Sequence, residues 1–222
     1  NEISKLKDIK NLEIKTRTSV AAYHGYNFLL ARENLTDHLP FDKKVNKIRQ
    51  RLLKIRAKKV IVATGSIERP LVFNNNDRPG IILSSAIKKY SDYYGVICGN
   101  ENVFFTNNDS AYETAVSLFN KGIKVNAIVD IRDKADTNIV NLAEKLGIKI
   151  YNSFTIVDTS GYRRIKNISI MKLSKDGQSV TGSKTQINCD CLGVSGGWTP
   201  AVHLFTQSGG KLKFSNDDNV FK

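Results

Sequence analysis

The sequence predicts an α/β protein in which a parallel βαβαβ unit is inserted into part of a second domain, with an antiparallel β-meander behind it. Three observations predict this. Residues 103–130 run as apolar strand, turn, amphipathic helix, apolar strand and terminal acid. Residues 137–150 repeat the helix and strand, and both helices hand over to one tetrapeptide type, Gly-Ile-Lys-Val at 122–125 and Gly-Ile-Lys-Ile at 147–150. Strand, helix, strand, helix, strand in succession means parallel strands joined by right-handed crossovers.

Taken in order, the first third reads as strands after a helix remnant. Short β-rich runs break at His24-Gly25, a turn-like pair between apolar stretches. A polar loop containing Pro40 follows, and residues 49–65 end in an apolar strand at 60–63 that stops at Thr64-Gly65. A loop with Pro70, three consecutive Asn (74–76) and Pro79-Gly80 leads to a short helix, which Ser84 or Ser85 caps and whose shared face is Ile87, Tyr90 and Tyr94. In the βαβαβ unit, Asp109 or Ser110 caps a helix striped by Ala111, Ala115, Leu118 and Phe119, and Gly122 ends it. Ile139, Leu142, Ala143 and Leu146 line the next helix. Residues 164–174, a turn at Lys175-Asp176-Gly177 and residues 185–197 form the meander.

An internal echo sets the domain boundaries. Residues 58–66 and 189–198 each run from polar into an apolar strand and stop at a small-residue turn, Thr64-Gly65 in one and Gly196-Gly197 in the other. Two such strand ends flanking one βαβαβ unit imply an inserted domain with the echoing strands crossing between. The expected organisation is 1–66 as the first part of a host domain, 67–96 as a connecting loop and helix, 97–188 as the inserted domain, and 189–222 as the return.

Composition limits the function. The 222 residues suffice for a sizeable core, and no apolar run approaches the ~18 residues of a membrane-spanning helix. The chain lacks an initiator Met, its only Met being Met171, and is expected to be a piece of a longer protein. Cys98, Cys189 and Cys191 include no CxxC; the i, i+2 pair is expected on one strand face, as reduced thiols in a cytoplasmic protein. His24, His38 and His203 are scattered, so no metal site is expected. The formal charge of +13 concentrates in residues 43–59, which carry nine basic residues and no acid. No aromatics interleave with them for base stacking, so nucleic acid is not the expected partner; an acidic docking partner is the alternative.

The site chemistry turns on residues 106–109. A dinucleotide pyrophosphate rests on helix N-terminal N–H groups, with glycine where backbone must come close. Here the three fingerprint positions hold Thr106, Asn108 and Ala111. Asn108 puts a side chain where phosphate would approach. Asp109 would repel a diphosphate by about 2–4 kcal/mol per charge pair at an effective dielectric near 20. Asp130 ends the second strand where a ribose-binding acid would lie. A structural scaffold is the favoured reading of this unit. The other candidate is the pair of small-residue turns, with Trp198 at the same edge, covering either a cofactor or a domain seam.

The segments "VIVATGSIERPLVFNNNDRPGIILSSA", "VFFTNNDSAYETA" and "VSGGWTPAVHLFTQSGGKL" resemble the alpha subunit of heterotetrameric sarcosine oxidases, across most of residues 51–214. More broadly the pattern is similar to flavoprotein oxidoreductases with two dinucleotide-binding domains, in which an NAD-type domain interrupts an FAD-type one. The resemblance implies a Rossmann-like, three-layer inserted domain of NAD-binding type in a partial FAD/NAD(P)-binding domain. It also implies oxidative demethylation of sarcosine to glycine, with oxygen reduced to hydrogen peroxide and a one-carbon unit released. NAD in this region, FAD and FMN in the full complex, and partner subunits, beta especially, come with it. The non-glycine turn agrees with that family's own wording. The family's glycine-rich fingerprint and folate-binding half are not in these residues, so the chain is expected to be a central slice that binds no cofactor alone. Thr64, Gly65, Gly196 and Gly197 are the expected cofactor-cleft residues; no catalytic residue is assigned. The rivals are a stand-alone FAD- or NAD(P)H-dependent reductase and a non-enzymatic basic docking module.

Overall fold

A computed structural model describes Leu6, residues 9–44 and residues 46–222. The helix remnant expected at the start lies largely outside the described residues. The chain divides into two compact units, Asn1–Gly65 with Pro200–Lys222, and Ser66–Thr199.

The first unit is built on a three-stranded antiparallel sheet. Strands β1 (Thr18–His24), β2 (Phe28–Asn34) and β3 (Gln50–Arg56) pair in that order. The expected break at His24-Gly25 is the β1–β2 turn, with Tyr26 and Asn27 at positive φ. The expected strand at 60–63 does not form. Residues 60–65 are irregular, and Ile61 stands 93% exposed. A parallel-type apolar strand needs neighbours on both edges and cover on both faces, and among the described residues none pairs with it.

The second unit holds the core. Its elements are β4 (Ser66–Glu68), β5 (Ile81–Leu83), helix α1 (Ser84–Tyr94), β6 (Asn102–Thr106), α2 (Ser110–Asn120), β7 (Val125–Asp130), α3 (Asn138–Lys145), β8 (Ile150–Asn152), β9 (Phe154–Ser160), β10 (Asn167–Leu173), β11 (Val180–Asn188), β12 (Cys191–Ser195) and β13 (Trp198–Pro200). Five strands form a parallel sheet in the order β5-β12-β6-β7-β8. The predicted β6-α2-β7-α3-β8 run is therefore parallel as expected. The meander is antiparallel, in the order β11-β10-β9.

Two apolar clusters make three layers. On one face of the sheet, Phe104 and Ile128 pack with Ile87, Ala111, Ala115, Leu118, Val140 and Ala143 of the helices. On the other, Val103, Phe105, Val129, Leu192 and Val194 pack with Ile156, Ile168 and Ile170 of the meander. The alternation of Val103, Phe104 and Phe105 between clusters is the two-residue period of a strand covered on both faces. Gly193 is needed there, because a Cβ would stand 2.6 Å from the Phe104 ring.

Several expectations are corrected. Residues 189–199 belong to the second unit, and β12 sits between β5 and β6 near the middle of its sheet. The echo with residues 58–66 is thus not a structural repeat, since one copy is a buried central strand and the other irregular. Both β5 and β9 went unpredicted; β5 is three residues beside a Pro-Gly turn, too short for a periodicity. On α1 only Ile87 of the expected face is buried, with Ser84, while Tyr90 and Tyr94 are exposed. On α3 Val140 takes the buried place expected of Leu142. Cys189 and Cys191 do not share a face: each belongs to a different cluster, because the chain bends at Asp190 between the meander and β12.

The return to the first unit carries helix α4 (His203–Gln207) and a small hairpin of β14 (Phe214–Ser215) and β15 (Val220–Phe221). The Gln207 side chain accepts from the Tyr23 N–H at 2.9 Å, tying this segment to β1.

Candidate functional site

In parallel α/β sheets ligands bind beyond the carboxyl ends of the strands. In the second unit β6 and β12 end side by side, with Thr106 opposite Ser195, both fully buried. The loop after β6 has no residue at positive φ. Side chains make the tight turn that glycine would otherwise make. Thr106 Oγ1 accepts from the Asn108 N–H at 3.0 Å and donates to the Asn108 carbonyl at 2.9 Å. The Asn108 amide nitrogen donates to Ser195 Oγ at 3.0 Å and to the Ser195 carbonyl at 3.2 Å. Its Oδ1 accepts from the Ser110 N–H at 3.0 Å and from the Ser110 hydroxyl at 2.5 Å. Asn108, not Asp109 or Ser110, is the side chain that satisfies the start of α2.

The two acids are committed as well. Asp130 is fully buried and accepts from the Tyr112 hydroxyl at 2.8 Å, from Arg132 Nη2 at 2.7 Å and from the Arg132 backbone N–H at 2.9 Å. Arg132 also reaches Asp109, at 2.8 Å. Burial pushes the Tyr112 hydroxyl pKa well above its usual value, and the Asp130 charge adds to the effect. Burial alone would depress Arg132, but its bonds to Asp130 and Asp109 outweigh that and raise it. The expected repulsion from Asp109 is therefore cancelled by a guanidinium, and the expected ribose acid faces protein. Sequence reasoning missed Tyr112 and Arg132. Their signal was faint: an Arg two residues past a strand-ending Asp, and a Tyr inside an otherwise small-residue helix stripe.

Of the four expected cleft residues, Thr64 and Gly65 lie in the irregular segment just before β4, and Gly196 and Gly197 lie in the turn between β12 and β13, each pair within its own unit. Thr64 Oγ1 donates to the Ala201 carbonyl at 2.6 Å, and the Gly65 carbonyl accepts from the Ala201 N–H at 2.9 Å. In the second unit the Gly196 N–H donates to the Arg69 carbonyl at 2.6 Å and the Gly197 carbonyl accepts from the Arg69 N–H at 2.9 Å. A Cβ on Gly196 would lie 2.7 Å from the Pro70 carbonyl oxygen, and Gly197 sits at φ +99°. Glycine is required at both positions by the chain's own backbone.

A cleft of about 420 Å³ opens beside α1 and α2, lined by Glu68, Lys88, Tyr93, Ser110 and Trp198 among others. Glu68 is only 5% exposed and accepts the Ser85 N–H at 2.8 Å, so this carboxylate, not Ser84 or Ser85, caps α1. Trp198 Nε1 donates to Ser110 Oγ at 3.1 Å, which ties the indole to the Asn108 network.

Elsewhere the signals are weaker. In the basic run, Arg49 pairs with Asp37 at 2.7 Å at the surface, a contact worth little by itself, and Arg51 approaches the half-buried Glu33 at 3.7 Å. All three cysteines are free; burial pushes the Cys189 and Cys191 thiols up to about 12. Among the described residues no cluster of His, Cys, Asp or Glu could hold a metal, and no helix is long and apolar enough to cross a membrane.

The helix, parallel sheet and meander layers define the class: this is the fold of the FAD/NAD(P)-binding oxidoreductases. A NAD-dependent persulfide reductase from A. fulgidus superposes with a TM-score of 0.59 over 98% of this chain and 40% of its own, at 14% identity. A FAD-dependent pyridine nucleotide-disulphide oxidoreductase from Desulfovibrio vulgaris does so with a TM-score of 0.56 over 92% of this chain and 52% of its own, at 13% identity. Within that class the chain is a relative of sarcosine oxidase alpha subunits. It is 34% identical over 207 residues, 92% of its length, to the one from Corynebacterium sp. (strain P-1), and 32% identical over 97% of its length to the one from Rhizobium meliloti (strain 1021). The chain spans about a fifth of those relatives, 21% and 20% of their lengths. No protein-family model matches it.

Proposed function

We propose that this chain is part of the alpha subunit of a sarcosine oxidase, contributing scaffold and dinucleotide-domain structure to a cytoplasmic complex whose beta subunit oxidises the amine. The single observation that carries the reading is the 34% identity maintained along 92% of the chain. The reaction on this reading is oxidative demethylation of sarcosine to glycine, with oxygen reduced to hydrogen peroxide and a one-carbon unit released. NAD and flavin belong to the complete complex. Within the second unit the turn after β6 does not fit a pyrophosphate. The Asn108 side chain fills the place of approach, and Asp130 is bonded to Tyr112 and Arg132. No step is therefore routed through a dinucleotide on that turn, and no residue of the chain is given a proton-transfer role. Thr64 and Gly65 in the first unit, and Gly196 and Gly197 in the second, remain our assignments for backbone that a cofactor approaches.

The complex purified through a tag on this chain is expected to contain a further subunit and to release hydrogen peroxide when given sarcosine. The chain by itself is expected to be colourless and to bind NAD weakly or not at all. A chain that purifies alone, carries stoichiometric flavin and oxidises NADH with an artificial acceptor would replace this reading with a stand-alone reductase.

A further inference from the structure

The outer edge of β3 offers pairing that the first unit does not use. The order β1-β2-β3 puts β3 at the margin of its sheet. The Leu35 N–H donates to the Arg49 carbonyl at 2.9 Å and the Ala57 N–H to the Asn27 carbonyl at 3.1 Å, with an unbroken register between them. Bonded positions alternate along an antiparallel pair, so residues 51, 53 and 55 turn their main chain towards β2. The N–H and C=O groups of Gln50, Leu52, Lys54 and Arg56 therefore point away from it, and no described residue bonds to them. Every residue of β3 except Leu53 is exposed.

The charge along this edge is as unbalanced as its bonding. Residues 43–59 carry nine basic residues and no acid. Arg51 approaches Glu33 at 3.7 Å, and the Arg56 guanidinium lies 5.4 Å from the centre of the Phe28 ring. Lys54, and Lys58 and Lys59 just beyond the strand, have no described acid within ion-pair reach.

We propose that β3 accepts an acidic, extended peptide segment of a partner protein as a fourth strand of this sheet. An open edge presents N–H and C=O groups in equal number, and a peptide main chain answers both. The phosphates of a nucleic acid have no donor for the carbonyls. A second copy of β3 would set basic side chains against basic ones, which is destabilising. Gln50, Leu52, Lys54 and Arg56 share one face of the strand. The fitting segment therefore sets glutamates against Lys54 and Arg56 and an apolar residue against Leu52.

The probe is the capped peptide Glu-Val-Glu-Val-Leu-Glu-Thr, titrated calorimetrically against the whole chain. Saturable binding is expected, with amide-exchange protection gained at Leu52, Lys54 and Arg56 and not at Arg51, Leu53 or Ile55. The same peptide N-methylated on the amides that face β3 keeps its charge and is expected to bind about tenfold more weakly, or not at all. Lys54→Glu is expected to cost about fivefold in affinity. Leu52→Pro removes only an outward N–H, so the β2 ladder survives, and it is expected to abolish binding. The N-methyl comparison uses the unaltered chain, so it decides the matter even where a variant folds poorly. Absence of saturable binding, equal affinity for the N-methylated peptide, protection gained away from residues 50–56, or a single-stranded oligonucleotide that binds as tightly as the peptide would each overturn the proposal. None of these outcomes bears on peroxide release from sarcosine, so the two readings fail separately.

Discussion

The two units invest their apolar residues differently. In the second, residues such as Val103, Phe104, Ile128, Val140, Ile168 and Leu192 are nearly or wholly buried, packed on both faces of one sheet. In the first, the buried apolar residues among those described are Leu29, Ala31 and Val220, while Leu52 is 62% and Ile61 93% exposed. A sheet covered on both sides builds its own core, whereas a three-stranded sheet carrying a basic edge does not. Stability is therefore expected to concentrate in residues 66–199, and the first unit to depend far less on any single apolar side chain.

The largest effect that would test this contrast is Arg132→Met. It strips the guanidinium from Asp130, a carboxylate with no exposure, and leaves a buried charge uncompensated. A loss of about 3–5 kcal/mol is expected. Denaturant unfolding followed by amide exchange in β6 and β7 measures it, and a cost below about 1 kcal/mol would show that Asp130 is accommodated without its partner.

An intermediate effect comes from the thiols. Burial holds Cys189 and Cys191 at about 12, against 9.0 for a free thiol. Each binds its proton more tightly in the folded chain. The associated stability is fully present below pH 9 and is lost as pH rises from there towards about 12. The melting temperature is expected to fall across that window. At pH 8 iodoacetamide should leave Cys189 and Cys191 unlabelled in the folded chain and modify them once it is unfolded. Rapid labelling of the native chain would mean that the centre of the β12 layer opens readily.

The smallest effect is expected from Leu52→Ala in β3, under about 0.5 kcal/mol, since an exposed side chain away from special features contributes little. A cost above 2 kcal/mol, read from the same unfolding curves, would show that Leu52 is buried in the folded protein and that the contrast between the units is overstated.

Much of the second unit was legible because its signals are local. The periodicities around Ala111 and Ala143, the helix-ending Gly122 and Gly147, and the apolar runs at 103–105 and 125–129 each identify an element without knowledge of its neighbours. Even the mismatch with a dinucleotide fingerprint at Thr106, Asn108 and Asp109 could be read, since the wrong side chains in a turn are visible one by one. The strand at 60–63 was misassigned for the same reason turned around. Its apolar run satisfies the local rule, but a strand exists only with a partner, and that condition is not written in the four residues.

The sequence alone determined the alternation of strands and helices from β6 to β8, the hairpin-like turn between β10 and β11 and the loss of glycine from the turn after β6, because propensity, period and backbone freedom act within a few residues of each position. The tertiary structure alone decided that β12 enters the sheet between β5 and β6, that Arg132 joins Asp109 to Asp130, and that Glu68 caps α1 with one oxygen and leaves the other buried. These pairings span from a few residues to about a hundred, and two of them rest on a buried carboxylate, Asp130 in one and Glu68 in the other. Such contacts follow from which surfaces the packed layers bring together, a condition that no single segment carries.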